Sequence, residues 1–195
     1  MEITSEQIKA LREKTGISVM QCKKALEEAG GDAEKAIIIL KKKGAEQAAK
    51  KADRELGAGV IEAYIHSNGL VGSIVELASE TDFVSNNAEF KTLAKDIAMQ
   101  VTATAPEFLK QSDIDEAALA KAKELFMSEA ADKPADLQEK IVQGKIDSYF
   151  KDQVLLNQDF IKNPEITIQA MIDGAIQKFG EKIEMVRFKR FEIGK

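Results

Sequence analysis

Several residue types are rare in this sequence of 195 residues, and each scarcity excludes a class of site or of protein. Cys22 is the only cysteine, which excludes an intrachain disulfide and a zinc site built from thiolates. His66 is the only histidine, so a mixed zinc site also lacks its ligands. No stretch approaches the roughly 18 apolar residues of a membrane span, and residues 1–4 lack the pattern that opens a signal peptide. We therefore expect a cytoplasmic protein with no membrane partner.

The sequence signatures of nucleotide sites and of common catalytic sites are also missing. There is no G-x-x-x-x-G-K-[ST], no G-x-G-x-x-G and no G-x-S-x-G. The net charge of -5 argues against a dedicated nucleic-acid binder, which is usually basic. Carboxylates are abundant, so a hydrolase that uses a scattered pair of them stays open as an alternative. We expect an interaction protein that has no cofactor, no metal and no catalytic residue, and is not an enzyme.

The first part of the chain predicts three short helices. Their capping residues are Thr4, Ser18 and Asp32. We expect the third helix to end at residues 41–44, Lys-Lys-Lys-Gly, because cations and glycine suit a helix C-terminus. Residues 45–55 are predicted to continue as helix or helical linker. A module of this size docks more often than it catalyses, so residues 1–54 are predicted to be a helical docking module.

Residues 55–195 predict an α+β core domain, so the whole chain is assigned to the α+β class. Strands at 60–66 and 70–78 flank Asn68-Gly69, which suits the type I′ turn of a two-residue hairpin and sets Ala63 opposite Ile74. A further strand is predicted at 183–193, after a helix at about 166–179, and residues 154–161 are predicted to form an edge strand. We expect a small antiparallel sheet packed with helices.

A protruding helical hairpin is predicted at about residues 113–152. Its arms, 113–131 and 135–151, are joined by the short link 132–134, which implies antiparallel neighbours. The apolar residues expected to form the seam between the arms are Ala117, Leu125, Phe126, Leu137, Ile141 and Phe150.

The stretch at residues 80–87 connects the hairpin to a long amphipathic helix that begins at Asn86 or Asn87. Such connectors usually run over the surface, and loops on a rigid scaffold often carry function. Here a large apolar ring, Phe83, stands beside the carboxylate of Asp82. Two interpretations stay open from the residues alone: Phe83 either plugs the end of a core or anchors an interface.

Four motifs, in order along the chain, resemble those of bacterial elongation factor Ts. They are Thr-Gly-Ile-Ser-Val-Met-Gln-Cys-Lys-Lys-Ala-Leu at 15–26, Thr-Asp-Phe-Val at 81–84, Leu-Leu-Asn-Gln-Asp-Phe-Ile-Lys at 155–162, and Arg-Phe-Lys-Arg-Phe-Glu-Ile-Gly at 187–194. In the third motif Asp159 stands where a small residue or proline is expected. The long form of this family duplicates its core, and this chain resembles the short form.

The resemblance implies a translation factor that exchanges guanine nucleotide on elongation factor Tu. By the same resemblance, the N-terminal module is ubiquitin-associated-like (UBA-like) and docks on the GTPase domain, with Val19, Met20 and Lys23 as the expected contacts. The loop Thr81, Asp82, Phe83 and Val84 is expected to enter that domain near its magnesium and nucleotide site. The short form is also known to dimerise, which agrees with the apolar face expected on the strand at 185–193, and we expect a homodimer that binds no nucleic acid. An adaptor for ubiquitin-like proteins or helices, built on residues 1–54 alone, is the alternative.

Overall fold

The chain has the α+β fold that the sequence predicts. A computed structural model describes residues 3–130 and 134–194, without the side chains of residues 135 and 136. In these residues the chain forms eight α-helices and five strands, arranged as a three-stranded sheet in the order β1-β2-β5 and a two-stranded sheet of β3 and β4. None of the described helices is long and apolar enough to cross a membrane.

The helices and strands follow one another along the whole described chain. The helices are α1 (Ser5–Thr15), α2 (Val19–Glu28), α3 (Ala33–Lys50), α4 (Asp82–Ser85), α5 (Ala88–Thr104), α6 (Glu116–Glu129), α7 (Ala135–Lys151) and α8 (Ile168–Phe179). The strands are β1 (Ala58–Ile65), β2 (Val71–Ser79), β3 (Asp159–Phe160), β4 (Asn163–Thr167) and β5 (Ile183–Glu192).

The chain divides into two compact units, and each unit takes part of the strands β1, β2 and β5. One unit comprises Met1–Glu62, Val75–Asp96 and Gln169–Val186. The other comprises Ala63–Ile74, Ile97–Ile168 and Arg187–Lys195. The division into a docking module at 1–54 and a core domain at 55–195 stays a prediction. All the site residues described below belong to the first unit.

Helices α1, α2 and α3 begin where the capping residues predict. Thr4 forms the full capping box with Gln7, Ser18 accepts from the amide of Gln21, and Asp32 accepts from two amides of α3. The three helices bury one apolar cluster, whose members are Leu11, Ile17, Cys22, Ala25, Leu26, Ala36 and Leu40. Cys22 is therefore a small core residue.

The predicted end of the third helix at residues 41–44 is wrong. Helix α3 continues to Lys50, and Gly44 is buried inside it. A Cβ at Gly44 would lie 3.4 Å from the carbonyl oxygen of Asp173 and 3.3 Å from the side-chain oxygen of Gln177. Gly44 is thus the place where α3 meets α8 closely, and the packing against α8 explains why a glycine stands in mid-helix.

The hairpin of β1 and β2 has the predicted register but not the predicted turn. A Cβ added at Gly59 would lie 2.9 Å from the Cα of Ala78, and one added at Gly72 would lie 3.3 Å from the Cα of Ile65. With the hydrogen bond from the amide of His66 to the carbonyl of Val71 (2.9 Å), these neighbours follow the register that sets Ala63 opposite Ile74. A type I′ turn needs two residues with positive φ, whereas only Gly69 has one here, at 69°. The amide of Gly69 donates to the carbonyl of His66 (2.8 Å), so the turn spans His66 to Gly69.

The helical hairpin of α6 and α7 forms in the second unit, with a seam that differs in part from the predicted one. The link at 132–134 lies mostly outside the described residues. Phe126, Ile141 and Phe150 belong to the seam as predicted. Ala117, Leu125 and Leu137 are exposed, and Ala118, Ala122, Val142 and Ile146 take their places. Helix α6 is apolar on most of its circumference between 117 and 126, so periodicity alone does not choose its inner face.

The region before α8 is less extended than predicted. Only Asp159–Phe160 forms a strand within 154–161, because Leu155–Asn157 makes a turn of 3-10 helix. Strand β4 occupies Asn163–Thr167, so α8 begins at Ile168, two residues later than predicted. The buried side chain of Gln100 fastens this region: its amide donates to Gln158 (2.9 Å), and its oxygen accepts from the amide of Ile161 (2.9 Å).

Candidate functional site

The connector between β2 and α5 contains a single helical turn, α4, with one inward and one outward side. Val84 and Ser85 are buried, and Val84 is 3% exposed. Phe83 is 85% exposed, more than any other large hydrophobic residue in the described chain. An isolated exposed apolar residue is ordinary, but a full phenyl ring held out on a structured turn is not. The interpretation of Phe83 as a core plug is therefore wrong.

Thr81, directly before α4, is held by its backbone and its side chain together. Its amide donates to one carboxylate oxygen of Glu181 (3.0 Å), and its hydroxyl donates to the other (2.6 Å). Its carbonyl accepts from the hydroxyl of Ser79 (3.0 Å) and from the amide of Ser85 (3.3 Å). Thr81 occupies the N-cap position without making a side-chain cap, because its hydroxyl is engaged by Glu181. The residue two positions before Phe83 is thereby fixed.

Glu80 makes the reciprocal contact with the residue after Glu181. Its carboxylate accepts from the backbone amide of Lys182 and from the guanidinium of Arg54 (3.0 and 3.2 Å). The amide of Lys182 and then the guanidinium of Arg54 hold the pKa of Glu80 below its ordinary value of 4.5. Glu80 is therefore ionised throughout the neutral range, and the contact is charge-assisted.

The side chain of Lys182 extends the same network to the segment that follows α3. Its ammonium donates to the carbonyl oxygens of Ala52 (2.7 Å) and Arg54 (3.1 Å). The chain segments around residues 52–54, 80–81 and 181–182 are thus joined through side-chain and backbone hydrogen bonds. We call this set of contacts (Arg54, Glu80, Thr81, Glu181 and Lys182) the clamp.

A second candidate surface lies on helix α2. Val19 and Met20 in its first turn are exposed, Met20 to 63%. Lys23, one turn further, is also exposed and lies 3.8 Å from Glu27 in an ion pair. The opposite face of α2 carries Cys22 and Leu26 into the core of the module. The three predicted contact residues are therefore available to a partner.

The structure brings most of the predicted loop residues to the surface of one turn. Asp82 and Phe83 are exposed together, whereas Val84 faces inward and anchors the turn. A partner can bury an exposed ring on such a turn. Binding of this kind requires neither a nucleophile nor a general base. Sequence reasoning missed the clamp entirely. Thr81 and Glu80 bind Glu181 and Lys182, which lie about one hundred residues later in the chain, and no local sequence pattern predicts those two contacts.

Comparison with known proteins identifies the family of this chain. The family model of elongation factor Ts matches residues 18–195. Elongation factor Ts of Carboxydothermus hydrogenoformans is 49% identical over 194 residues, covering 98% of this chain and 89% of that protein. Elongation factor Ts of Thermodesulfovibrio yellowstonii is 48% identical over 195 residues, covering 100% of this chain and 98% of that protein. The family model and these relatives match nearly the whole length of the chain. The chain therefore belongs to the elongation factor Ts family.

Proposed function

We propose that this translation factor is a guanine-nucleotide exchange factor. It binds elongation factor Tu in its GDP-bound form and promotes release of GDP by disturbing the magnesium and phosphate site. The observation that carries the proposal is Phe83, which is 85% exposed on a turn whose base is held by the clamp. A mobile ring would lose much of its binding energy to ordering, whereas a fixed ring loses little.

The physical basis of exchange is reciprocal coupling between two ligands of one protein. A GTPase holds its nucleotide through magnesium and phosphate contacts. A partner that binds best when those contacts are disturbed must weaken nucleotide binding by the same factor. In this proposal the ring of Phe83 inserts between helices of the partner, and Asp82 beside it makes polar contacts that fix the position of the ring. No covalent bond is made or broken, so the protein needs no catalytic residue.

The helical module supplies docking affinity in this proposal. Val19, Met20 and Lys23 form a small surface with apolar and cationic character on α2. Such a surface suits a partner helix with an apolar centre and an acidic rim. An adaptor built on this module alone would leave the clamped turn without a role, and for that reason exchange is favoured.

The decisive experiment uses catalytic amounts of the protein. Elongation factor Tu loaded with fluorescent GDP is mixed with excess unlabelled GDP, and release is followed with one molecule of this protein per hundred of the GTPase. The proposal requires multiple turnovers and a rate proportional to the amount added. Release at the spontaneous rate, although the two proteins bind, would leave the adaptor as the better account.

We also propose that the chain works as a homodimer through the open face of its three-stranded sheet. β1 and β5 are the edges of this sheet. On β1 the exposed positions Ile61, Ala63 and Ile65 share one face, and Ile61 is 72% exposed. On β5 Val186 is exposed as well. Apolar sheet faces and edges are usually covered in natural proteins, and a second copy covers them by a two-fold contact.

A further inference from the structure

We propose that Glu181 is a positioning residue for the exposed ring of Phe83. This inference rests on the proposed exchange function and names a residue outside its contact surface. Glu181 is the middle residue of the three-residue segment between α8 and β5, and its carboxylate accepts hydrogen bonds from both the amide and the hydroxyl of Thr81. These two bonds determine where the turn α4 begins, and therefore where it places Phe83.

The geometry of the clamp gives this role to Glu181 more than to its neighbours. Thr81 has an extended backbone (φ -128°, ψ 160°) and helical residues follow it at once. Without Glu181, the Thr81 hydroxyl is free to turn toward the amides of α4 as an ordinary cap, since threonine is a preferred capping residue. Glu181 thus excludes an alternative arrangement of the turn. The bond from the Ser79 hydroxyl to the Thr81 carbonyl does not involve Glu181 and holds the chain from the other side.

The neighbouring pair acts as a second support at the same place. Glu80 accepts from the amide of Lys182, so the two consecutive residues 80 and 81 are bound to the two consecutive residues 181 and 182. Lys182 in turn holds the carbonyl oxygens of Ala52 and Arg54. Because three segments share the clamp, loss of Glu181 is expected to loosen the turn without unfolding the unit.

The first test needs no partner. Amide hydrogen exchange at Thr81, measured by NMR on the free protein, should become about tenfold faster in Glu181→Ala, because two hydrogen bonds to a carboxylate are lost. Glu181→Gln keeps one acceptor oxygen, so its amide exchange rate at Thr81 should lie between those of the wild type and Glu181→Ala. Glu46→Gln is the matched control: it removes the same charge from an exposed carboxylate on α3 of the same unit, away from the clamp, and should leave amide exchange at Thr81 unchanged. Unchanged exchange at Thr81 in Glu181→Ala would overturn the proposal.

The second test separates positioning from direct contact. GDP release from elongation factor Tu is measured for the wild type, Glu181→Ala, Phe83→Ala and the double variant. A residue that acts through Phe83 should slow release by about tenfold alone and by almost nothing further once the ring is removed. Independent, multiplicative effects would mean that Glu181 touches the partner itself and would overturn the positioning role.

The two tests also separate this inference from the function on which it rests. If the wild type fails to release GDP, the exchange function fails, and the amide measurement still decides whether Glu181 orders the turn. If Phe83→Ala slows release while Glu181→Ala does not, the function stands and the positioning role is wrong. The melting temperature of each variant is also measured. If Glu181→Ala slows GDP release only because the protein unfolds, the positioning role is wrong.

Discussion

Truncation of Phe83 to alanine separates a contact with a partner from a contribution to folding. Phe83 is 85% exposed, so its ring contributes little to the folded state. Phe90, seven residues later, is fully buried and lies 6.5 Å from the ring of Phe179. Phe90→Ala is therefore the matched control, with the same side chain removed from a core position of the same unit.

The expected loss of unfolding free energy is several times larger for Phe90→Ala than for Phe83→Ala. A core phenylalanine truncation costs about 3–5 kcal/mol of unfolding free energy, and a surface substitution changes it by less than about 0.5 kcal/mol. For a chain of this size, Phe90→Ala should lower the melting temperature by roughly 6–20 °C, and Phe83→Ala by about 2 °C or less. Burial of an exposed ring in a partner is worth ~2–3 kcal/mol, so Phe83→Ala should slow GDP release about 25- to 150-fold.

The assay combines thermal unfolding by circular dichroism with stopped-flow release of fluorescent GDP. Either of two results would contradict a partner-binding role for Phe83. A melting temperature that falls as far in Phe83→Ala as in Phe90→Ala would make Phe83 a stabilising residue. Release within twofold of the wild type would show that the ring does not reach the partner.

Three further substitutions test other parts of the account. Met20→Ala should raise the concentration for half-maximal exchange about tenfold, whereas Ile38→Ala, 65% exposed on α3, should leave it unchanged. Ile61→Glu should convert a dimer into a species of 21.4 kDa in sedimentation equilibrium, and Ile38→Glu should not. Burial raises the pKa of Asp173 above 3.8, so its charge destabilises the fold once the pH exceeds that value. Asp173→Asn should therefore melt higher than the wild type at pH 7 and equally at pH 3.

The elements that local rules determine were predictable from the sequence. Thr4, Ser18 and Asp32 begin their helices because a side-chain oxygen satisfies amides two or three residues away. The register of the first hairpin follows from a short connection between two strands, and it holds although the turn type differs. Asn68 does not take a positive φ, and its side chain instead accepts from the amide of Leu70 (3.0 Å).

The features that depend on distant packing were not predictable. Gly44 has the local signature of a helix end, and only its contact with α8 explains the continued helix. The exposure of Phe83 and the burial of Val84 depend on how a single helical turn sits on its unit, which one sequence does not determine. The clamp requires Glu181 to meet Thr81 across one hundred residues. A family resemblance pointed to the loop, but it did not reveal what holds the loop in place.

The proposed exchange function requires the protein to bind its GTPase partner best when the nucleotide contacts are absent. Isothermal titration calorimetry of this protein against nucleotide-free elongation factor Tu, and against the same partner saturated with GDP and magnesium, tests that requirement directly. Reciprocal coupling predicts an affinity that is on the order of 10- to 100-fold higher for the nucleotide-free partner. Equal affinity for the two forms would contradict the account, because a ligand without preference shifts no equilibrium.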